Sequence, residues 1–212
     1  VMKFGGASLA DRKNIEKTCN IVTTYKKKDK VVLIVSAMKG VTDQLYEIVR
    51  LIDQEKFIGA KKILEKLRKQ HLSTLNKIST RTEAVKVKIE LIKLFEQLQN
   101  FINNAGKKGI TPAREDFIVS FGERWSCRLI AEALEMSKIM AYPIDASFLM
   151  ATNNTFGNAL PLYDKTQDHL RSILLPLINK NIVPVITGFI GFTNDGCTTT
   201  LGRGGSAAPA GM

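Results

Sequence analysis

Two apolar, largely β-branched runs constrain this chain most: Val31-Val32-Leu33-Ile34-Val35, and Ile182 to Thr187. A strand with one wet face alternates apolar and polar residues. A strand that is apolar throughout has both faces covered, the habit of parallel sheets held between helices. Val1 to Phe4 reads as a third strand, entering Gly5-Gly6. Ile139 to Ile144 reads as a fourth, placed at a sheet edge or strand end by Pro143. Between the first two strands, Ser8 to Asp11 opens a helix running to about Tyr25, with Ile15, Cys19 and Val22 on one face. Thr42 or Asp43 caps a second helix, running to about Ile52. Strand, loop, helix, repeated, predicts an α/β fold: a three-layer αβα sandwich around a mainly parallel sheet.

The middle breaks that rhythm. From Phe57 to Asn104 the periodicity is purely helical, as in Ile63/Leu64/Leu67 and Leu91/Leu94/Phe95/Leu98, with Thr80 or Thr82 as a cap. An inserted helical block over 57–110 follows, packed to one side of the sheet and carrying many of the lysines on its polar faces. Thr111-Pro112 supplies a cap and then a proline at the first helical position. Residues 113–137 are helical, with a break near Gly122, and 145–161 form a long loop. A helix over Tyr163 to Asn179 is interrupted by Pro176. Phe189 to Thr200 reads as a hairpin turning on Asn194-Asp195-Gly196.

Composition narrows the partners. The 212 residues carry 31 Lys+Arg against 20 Asp+Glu, a net charge of +11. Such a balance suits polyanions. However, the lysines lie in helical stretches such as Tyr25 to Lys30, without an RNA-binding aromatic motif, a helix-turn-helix signature or zinc spacing. A solvated basic surface and no nucleic-acid partner are expected. Cys19, Cys127 and Cys197 are odd in number and far apart, which points to a reducing cytoplasm and to no disulfide or metal site. His71 and His169 read as surface residues. The longest apolar run, Ile182 to Phe192, is too short to span a bilayer, so no membrane partner is expected.

Glycine-bearing loops follow three of the predicted parallel strands: Gly5 to Ser8, Ser36 to Gly40, and Gly188 onward to Gly205. Ligands in open α/β sheets bind at the carboxyl ends of strands, where consecutive backbone N–H groups and helix N-termini hold anions. Lys3 lies beside the first loop and Arg203 in the last. Neither G-x-x-x-x-G-K-[ST] nor G-x-G-x-x-G occurs, which disfavours P-loop NTPases and dinucleotide-dependent dehydrogenases. Phosphoryl transfer needs positioning and charge neutralisation, which a lysine, glycine N–H groups and a magnesium ion supply. Glu123 and Arg124 sit beside Gly122 in an apolar helical region. They read either as a surface ion pair or as part of a site in which Glu123 meets a substrate ammonium while Arg203 grips a carboxylate.

Several of these segments resemble the aspartokinases of the amino-acid kinase superfamily. Lys3-Phe4-Gly5-Gly6-Ala7-Ser8 is similar to the family's K-F-G-G-T-S opening. Val35 to Thr42 resembles its second loop, Ser120-Phe121-Gly122-Glu123-Arg124 its S-x-G-E motif, and Thr198 to Ser206 its T-T-T-L-G-R-G-G-S-D segment. The resemblance implies an ATP- and Mg2+-dependent kinase that phosphorylates the side-chain carboxylate of L-aspartate, the entry to lysine, threonine and methionine synthesis. It implies Lys3 on the transferring phosphoryl group. Phe4, Gly5, Gly6, Ser8, Ser36, Gly204 and Gly205 then surround phosphate, and Thr42, Glu123, Arg203 and Ser206 hold aspartate. It further implies that residues 1–212 are the N-terminal lobe of a homo-oligomeric enzyme, lacking its nucleotide lobe and ACT regulatory domains and inactive alone. The family's aspartate after G-G-S is here Ala207, so the anion loop departs from the pattern. An acetylglutamate or glutamate 5-kinase, or a non-catalytic anion-binding lobe, is the alternative.

Overall fold

A computed structural model describes residues 1–79, 84–105 and 109–202. Four strands, β1 (Met2–Phe4), β2 (Leu33–Val35), β3 (Ala141–Ile144) and β4 (Val183–Thr187), form one sheet in the order β1-β2-β4-β3. Every pairing in it is parallel. Thus β2 and β4, the two unbroken apolar runs, are the inner strands, and Pro143 lies on the outer strand β3, where a missing N–H costs no ladder bond.

Helices α1 (Arg12–Lys26), α2 (Val41–Asp53), α3 (Phe57–Ile78), α4 (Ala84–Asn104), α5 (Pro112–Val119), α6 (Phe121–Met136) and α7 (Tyr163–Asn179) clothe the sheet. Leu33, Val35, Val183 and Val185 face a core shared with α1 to α6. The alternate residues Ile186 and Ile144 face a smaller core, closed by Leu170, Ile173, Leu174 and Leu177 of α7. The result is the three-layer sandwich. Helix α6 packs on β2, β3 and β4, and α3 and α4 pack on α6. The helical block therefore forms an outer shell on one side of the sheet, with α6 between it and the strands.

Local chemistry explains most boundaries and several departures. Asp11 caps α1 through its carboxylate on the Asn14 N–H, so the helix begins at Arg12 after a short 3-10 turn over Gly6–Leu9. Helix α2 is capped by neither Thr42 nor Asp43: the chain enters it through Gly40 in the left-handed region, φ 76°. Thr111 caps α5 with Pro112 behind it. The break between α5 and α6 falls at Ser120, before Gly122. Pro176 does not interrupt α7, because it stands near the helix end and the chain continues through it to Asn179. The proposed caps Thr80 and Thr82 lie outside the described residues. Strands β5 (Ile190–Phe192) and β6 (Thr198–Thr200) make the expected antiparallel hairpin.

His71 is the clearest correction. It is fully buried in an aromatic cluster, 5.0 Å from the Trp125 ring and 5.7 Å from Phe95. Its Nδ1 lies 2.7 Å from the Leu67 carbonyl oxygen. A helical position facing the core buries whatever residue occupies it, and an imidazole with one satisfied nitrogen fits among aromatic rings. His169 is half-buried and stacks on Phe192. All three cysteines are free. No described helix is long and apolar enough to cross a membrane.

Candidate active site

The carboxyl ends of β1, β2 and β4 lie side by side, and the loops that leave them meet. Gly6 from the first, Ser36 to Gly40 from the second and Phe189 from the third line one cleft of ≈280 Å3. Thr42, Asp43 and Tyr46 of α2 and Glu123 of α6 complete its wall. The loops approach so closely that a Cβ on Gly6 would stand 2.8 Å from the Ala37 carbonyl oxygen. Phe189 holds a left-handed backbone, φ 64°, rare for a bulky residue. That conformation is fixed from both sides, since Gly188 N–H donates to Val35 O at 2.8 Å and Leu201 N–H to Phe189 O at 3.0 Å.

Glu123 is the decisive side chain. Gly122, just before it, lets α6 press onto the second loop: a Cβ there would fall 2.7 Å from the Ala37 Cβ. At that range the Glu123 carboxyl reaches the loop, and Oε1 accepts the Ala37 N–H at 3.1 Å. Ser126, one turn on, donates to the Ser36 carbonyl oxygen at 2.6 Å and locks helix to loop. Glu123 is 4% exposed, and its Oε2 has no hydrogen-bond partner among the described residues. Burial pushes its pKa up from 4.5 to about 8, against the opposing pull of the Ala37 and its own backbone N–H groups. A buried acceptor with one unpartnered oxygen in the wall of a cleft can receive a donor, and a cationic donor would draw it into its ionised form. Thr42 and Asp43 of the first turn of α2 line the same cleft, and a helix N-terminus is a setting for an anion. The cleft therefore suits a small molecule with an ammonium at one end and a carboxylate at the other.

Glu123 and Arg124 are not a surface pair. Both are buried and they point apart: Arg124 Nε lies 2.7 Å from Asp145 Oδ2, and its Nη2 donates to the Thr198 hydroxyl at 3.1 Å. Asp116 works alongside it. Its Oδ2 accepts the Gly157 N–H at 2.8 Å and the Thr200 N–H at 2.9 Å, while its Oδ1 accepts the Thr200 hydroxyl at 2.7 Å. Burial pushes the Asp116 pKa up, while the Thr200 hydroxyl and the two N–H groups pull against it. These two residues anchor β6, the strand that leads to Arg203, onto α5 and α6. Neither role was visible in the sequence, where Asp116 and Asp145 read as one more helix charge and a loop start.

Among the other residues implied by the resemblance, Ser36 and Thr42 line the cleft with Glu123. Lys3 does not. It is exposed on β1 and lines a separate depression with Tyr25, Asp29 and Lys30. Phe4 is buried in the main core, Gly5 is exposed, and Ser8 lies in the 3-10 turn, its carbonyl accepting the Thr18 hydroxyl. Arg203, Gly204, Gly205 and Ser206 lie outside the described residues. Lys39, Tyr46 and Phe189 line the cleft although the sequence did not single them out. Among the described residues no three His, Cys, Asp or Glu side chains meet in a group that could hold a metal. Mg2+, expected from the resemblance, thus has no protein ligand set among them.

The chain matches a family model described as the amino acid kinase family over residues 1–210. It is 33% identical over 207 residues to the lysine-sensitive aspartokinase 3 of Escherichia coli K12, covering 97% of this chain and 44% of that protein. With the chloroplastic aspartokinase 3 of Arabidopsis thaliana it shares 31% over 215 residues, covering 97% and 36% respectively. The structure superposes on E. coli aspartokinase III in complex with aspartate and ADP, the R-state, with a TM-score of 0.82 at 31% identity. That match covers 97% of this chain and 44% of that one. The T-state of the same enzyme, in complex with lysine and aspartate, gives 0.81. The chain spans less than half the length of these relatives.

Proposed function

Since the chain belongs to the amino acid kinase family, we propose that it carries the acceptor site of an aspartate kinase, a phosphotransferase moving a phosphoryl group from ATP to the side-chain carboxylate of L-aspartate. The observation that carries this reading is the buried Glu123 carboxyl, satisfied by Ala37 at Oε1 and without a partner at Oε2, in the wall of a cleft that the first turn of α2 also lines. The α-ammonium of aspartate binds Glu123 Oε2. The α-carboxylate takes the Thr42 hydroxyl and the N–H groups of the first α2 turn, with Arg203 closing on it bidentately. This fixes the orientation of the acceptor, so that its side-chain carboxylate points along the glycine loops.

ATP supplies the phosphoryl group, and the chain's part is to hold and neutralise it. The N–H groups around Gly5, Gly6 and Ser36, with Gly204 and Gly205, cradle the phosphate oxygens. Lys3, in the middle of β1 and outside the cleft, keeps from the resemblance its assignment to the developing charge, which requires its side chain to reach over the first loop. Ser206 completes the aspartate pocket. Mg2+ belongs to the same proposal, carried by phosphate oxygens. So does the assignment of 1–212 as the first lobe of the kinase, with 57–110 inserted into it, in a self-associating protein.

The test is calorimetric titration of this chain with L-aspartate, N-acetyl-L-aspartate and L-glutamate, followed by ADP release from the complete protein with the same acceptors. Binding of L-aspartate and loss of binding on N-acetylation are expected, because acetylation removes the charge that Glu123 receives. Equal binding of the acetylated compound would overturn the Glu123 assignment. ADP release driven by glutamate or acetylglutamate instead would move the chain to another amino-acid kinase.

A further inference from the structure

Helix α6 carries a second buried carboxylate at its other end. Nine residues on from Glu123, at 1.5 Å per residue, Glu132 stands about 14 Å along the helix axis. It opens into a cleft of ≈490 Å3 between α4, α6 and the outer strand β3. Three acidic and two cationic side chains line this cleft, which leaves one negative charge over. Arg128 Nε lies 3.4 Å from Glu90 Oε2, and its Nη1 donates to the Arg124 carbonyl oxygen at 2.8 Å. Glu135 Oε1 accepts the Ala141 N–H at 2.6 Å. Lys86 is exposed at the mouth. Glu132 is 5% exposed, and its Oε1 has no hydrogen-bond partner among the described residues.

A carboxylate oxygen in that position calls for a donor. No metal-holding group of three acidic, His or Cys side chains exists among the described residues, so the donor brings its own N–H. A guanidinium fork needs both carboxylate oxygens presented together, whereas Glu132 Oε1 is buried in the cleft wall, which suits the compact, freely rotating ammonium. Val87, Ala131 and Pro143 line the same cleft and give an aliphatic chain an apolar wall. We propose that this cleft binds an alkylammonium group, its N–H donors on Glu132 Oε1 and its chain along Val87, Ala131 and Pro143. A free aliphatic amine and a lysine side chain of a second copy of this lysine-rich chain share that chemistry. The site is independent of the aspartate reading.

The experiment is an amide-resolved NMR titration of the 212-residue chain with n-butylammonium chloride, following the Ala141 and Val87 N–H signals. Sodium chloride at equal ionic strength and n-butanol, alike in shape and uncharged, are the comparisons. Saturable shifts with butylammonium alone are expected, weakened about tenfold or more in Glu132→Gln and unchanged in the control Glu47→Gln. Sedimentation equilibrium separates the sources. A dimer that dissociates in Glu132→Gln, or on adding butylammonium, assigns the cleft to a neighbouring copy's lysine. Equal response to butanol, an unaltered Glu132→Gln, or no saturable shift in a chain that is monomeric throughout would overturn the proposal. Should Glu132→Gln fail to fold, the butanol comparison on the unmodified chain decides alone.

Discussion

In the proposed aspartate site, the raised pKa of Glu123 makes affinity depend on pH in a way that can be worked out beforehand. The empty site holds the carboxyl protonated up to about pH 8, but an ammonium pairs with the carboxylate. Binding below pH 8 therefore expels one proton. Each pH unit below 8 costs about 1.4 kcal/mol, or about tenfold in affinity. The dissociation constant for L-aspartate should fall about tenfold from pH 6 to 7, about fivefold more to pH 8, and then level off. Calorimetry at pH 7 in two buffers of different ionisation enthalpy reads the released proton directly. Glu123→Gln cannot ionise, so its affinity should be flat over this range. At pH 8 it should be weaker than the parent by roughly 10- to 150-fold, the loss of one charge-assisted hydrogen bond of about 1.5–3 kcal/mol. An affinity in the parent chain that does not change between pH 6 and 8, or a Gln variant with the parent's slope, would refute the reasoning. Folding carries the same signature in reverse. An acid whose folded pKa lies above its unfolded value stabilises most below pH 4.5, and that stability drains as pH rises toward 8.

Other expectations follow from the same contacts. His71 titrates at about 4 because burial removes its charged form from water, against the Leu67 carbonyl. Its contribution is full above pH 6.5 and lost as pH falls toward 4, a swing of roughly 3 kcal/mol. The difference in unfolding free energy between parent and His71→Phe over that window measures it. Asp116→Ala strands the N–H groups of Gly157 and Thr200 and should cost roughly 3–5 kcal/mol by urea denaturation, with Thr200→Val, which keeps the backbone bond, costing less. Gly122→Ala places a methyl 2.7 Å from the Ala37 Cβ and 3.3 Å from Leu45 Cδ1. Despite about 1 kcal/mol of gained helix propensity, it should destabilise by about 1–2 kcal/mol net and weaken aspartate binding, since the Ala37 N–H is pushed off Glu123.

The strands, their parallel sense and the helical block were legible because each rests on a one-dimensional signal. An apolar run with no polar partner face admits few burials, and a 3.6-residue period over twenty residues admits one element. The loops at the strand ends were legible for a related reason: glycine clusters mark where backbones approach. What the sequence could not state is which neighbour a buried polar group chooses. Arg124 stands next to Glu123 in the chain, yet on α6 the two side chains diverge by about 100°, and Arg124 finds Asp145 at the end of β3. Adjacency in a helix is a poor guide to pairing. The same blindness hid His71, whose apolar surroundings come from α4 and α6 rather than from its own helix.

One physical arrangement joins the legible part to the hidden part. Helix α6 is buried along nearly its whole length, so its polar residues call for partners on other elements, and those found in its first half fix pieces of the site. Glu123 and Ser126 hold the loop after β2, Arg124 reaches the segment after β3 and the start of β6, and Cys127 donates to the Val185 carbonyl oxygen of β4 at 2.9 Å. Removing any one of these would leave a buried donor or acceptor unpaired while freeing a loop that lines the cleft. Stability and acceptor geometry are consequently coupled through α6. Substitutions on its sheet-facing side should lose aspartate affinity in proportion to the loop they release, whereas α4, which packs on α3 and α6 and lines no part of the cleft, should lose stability first.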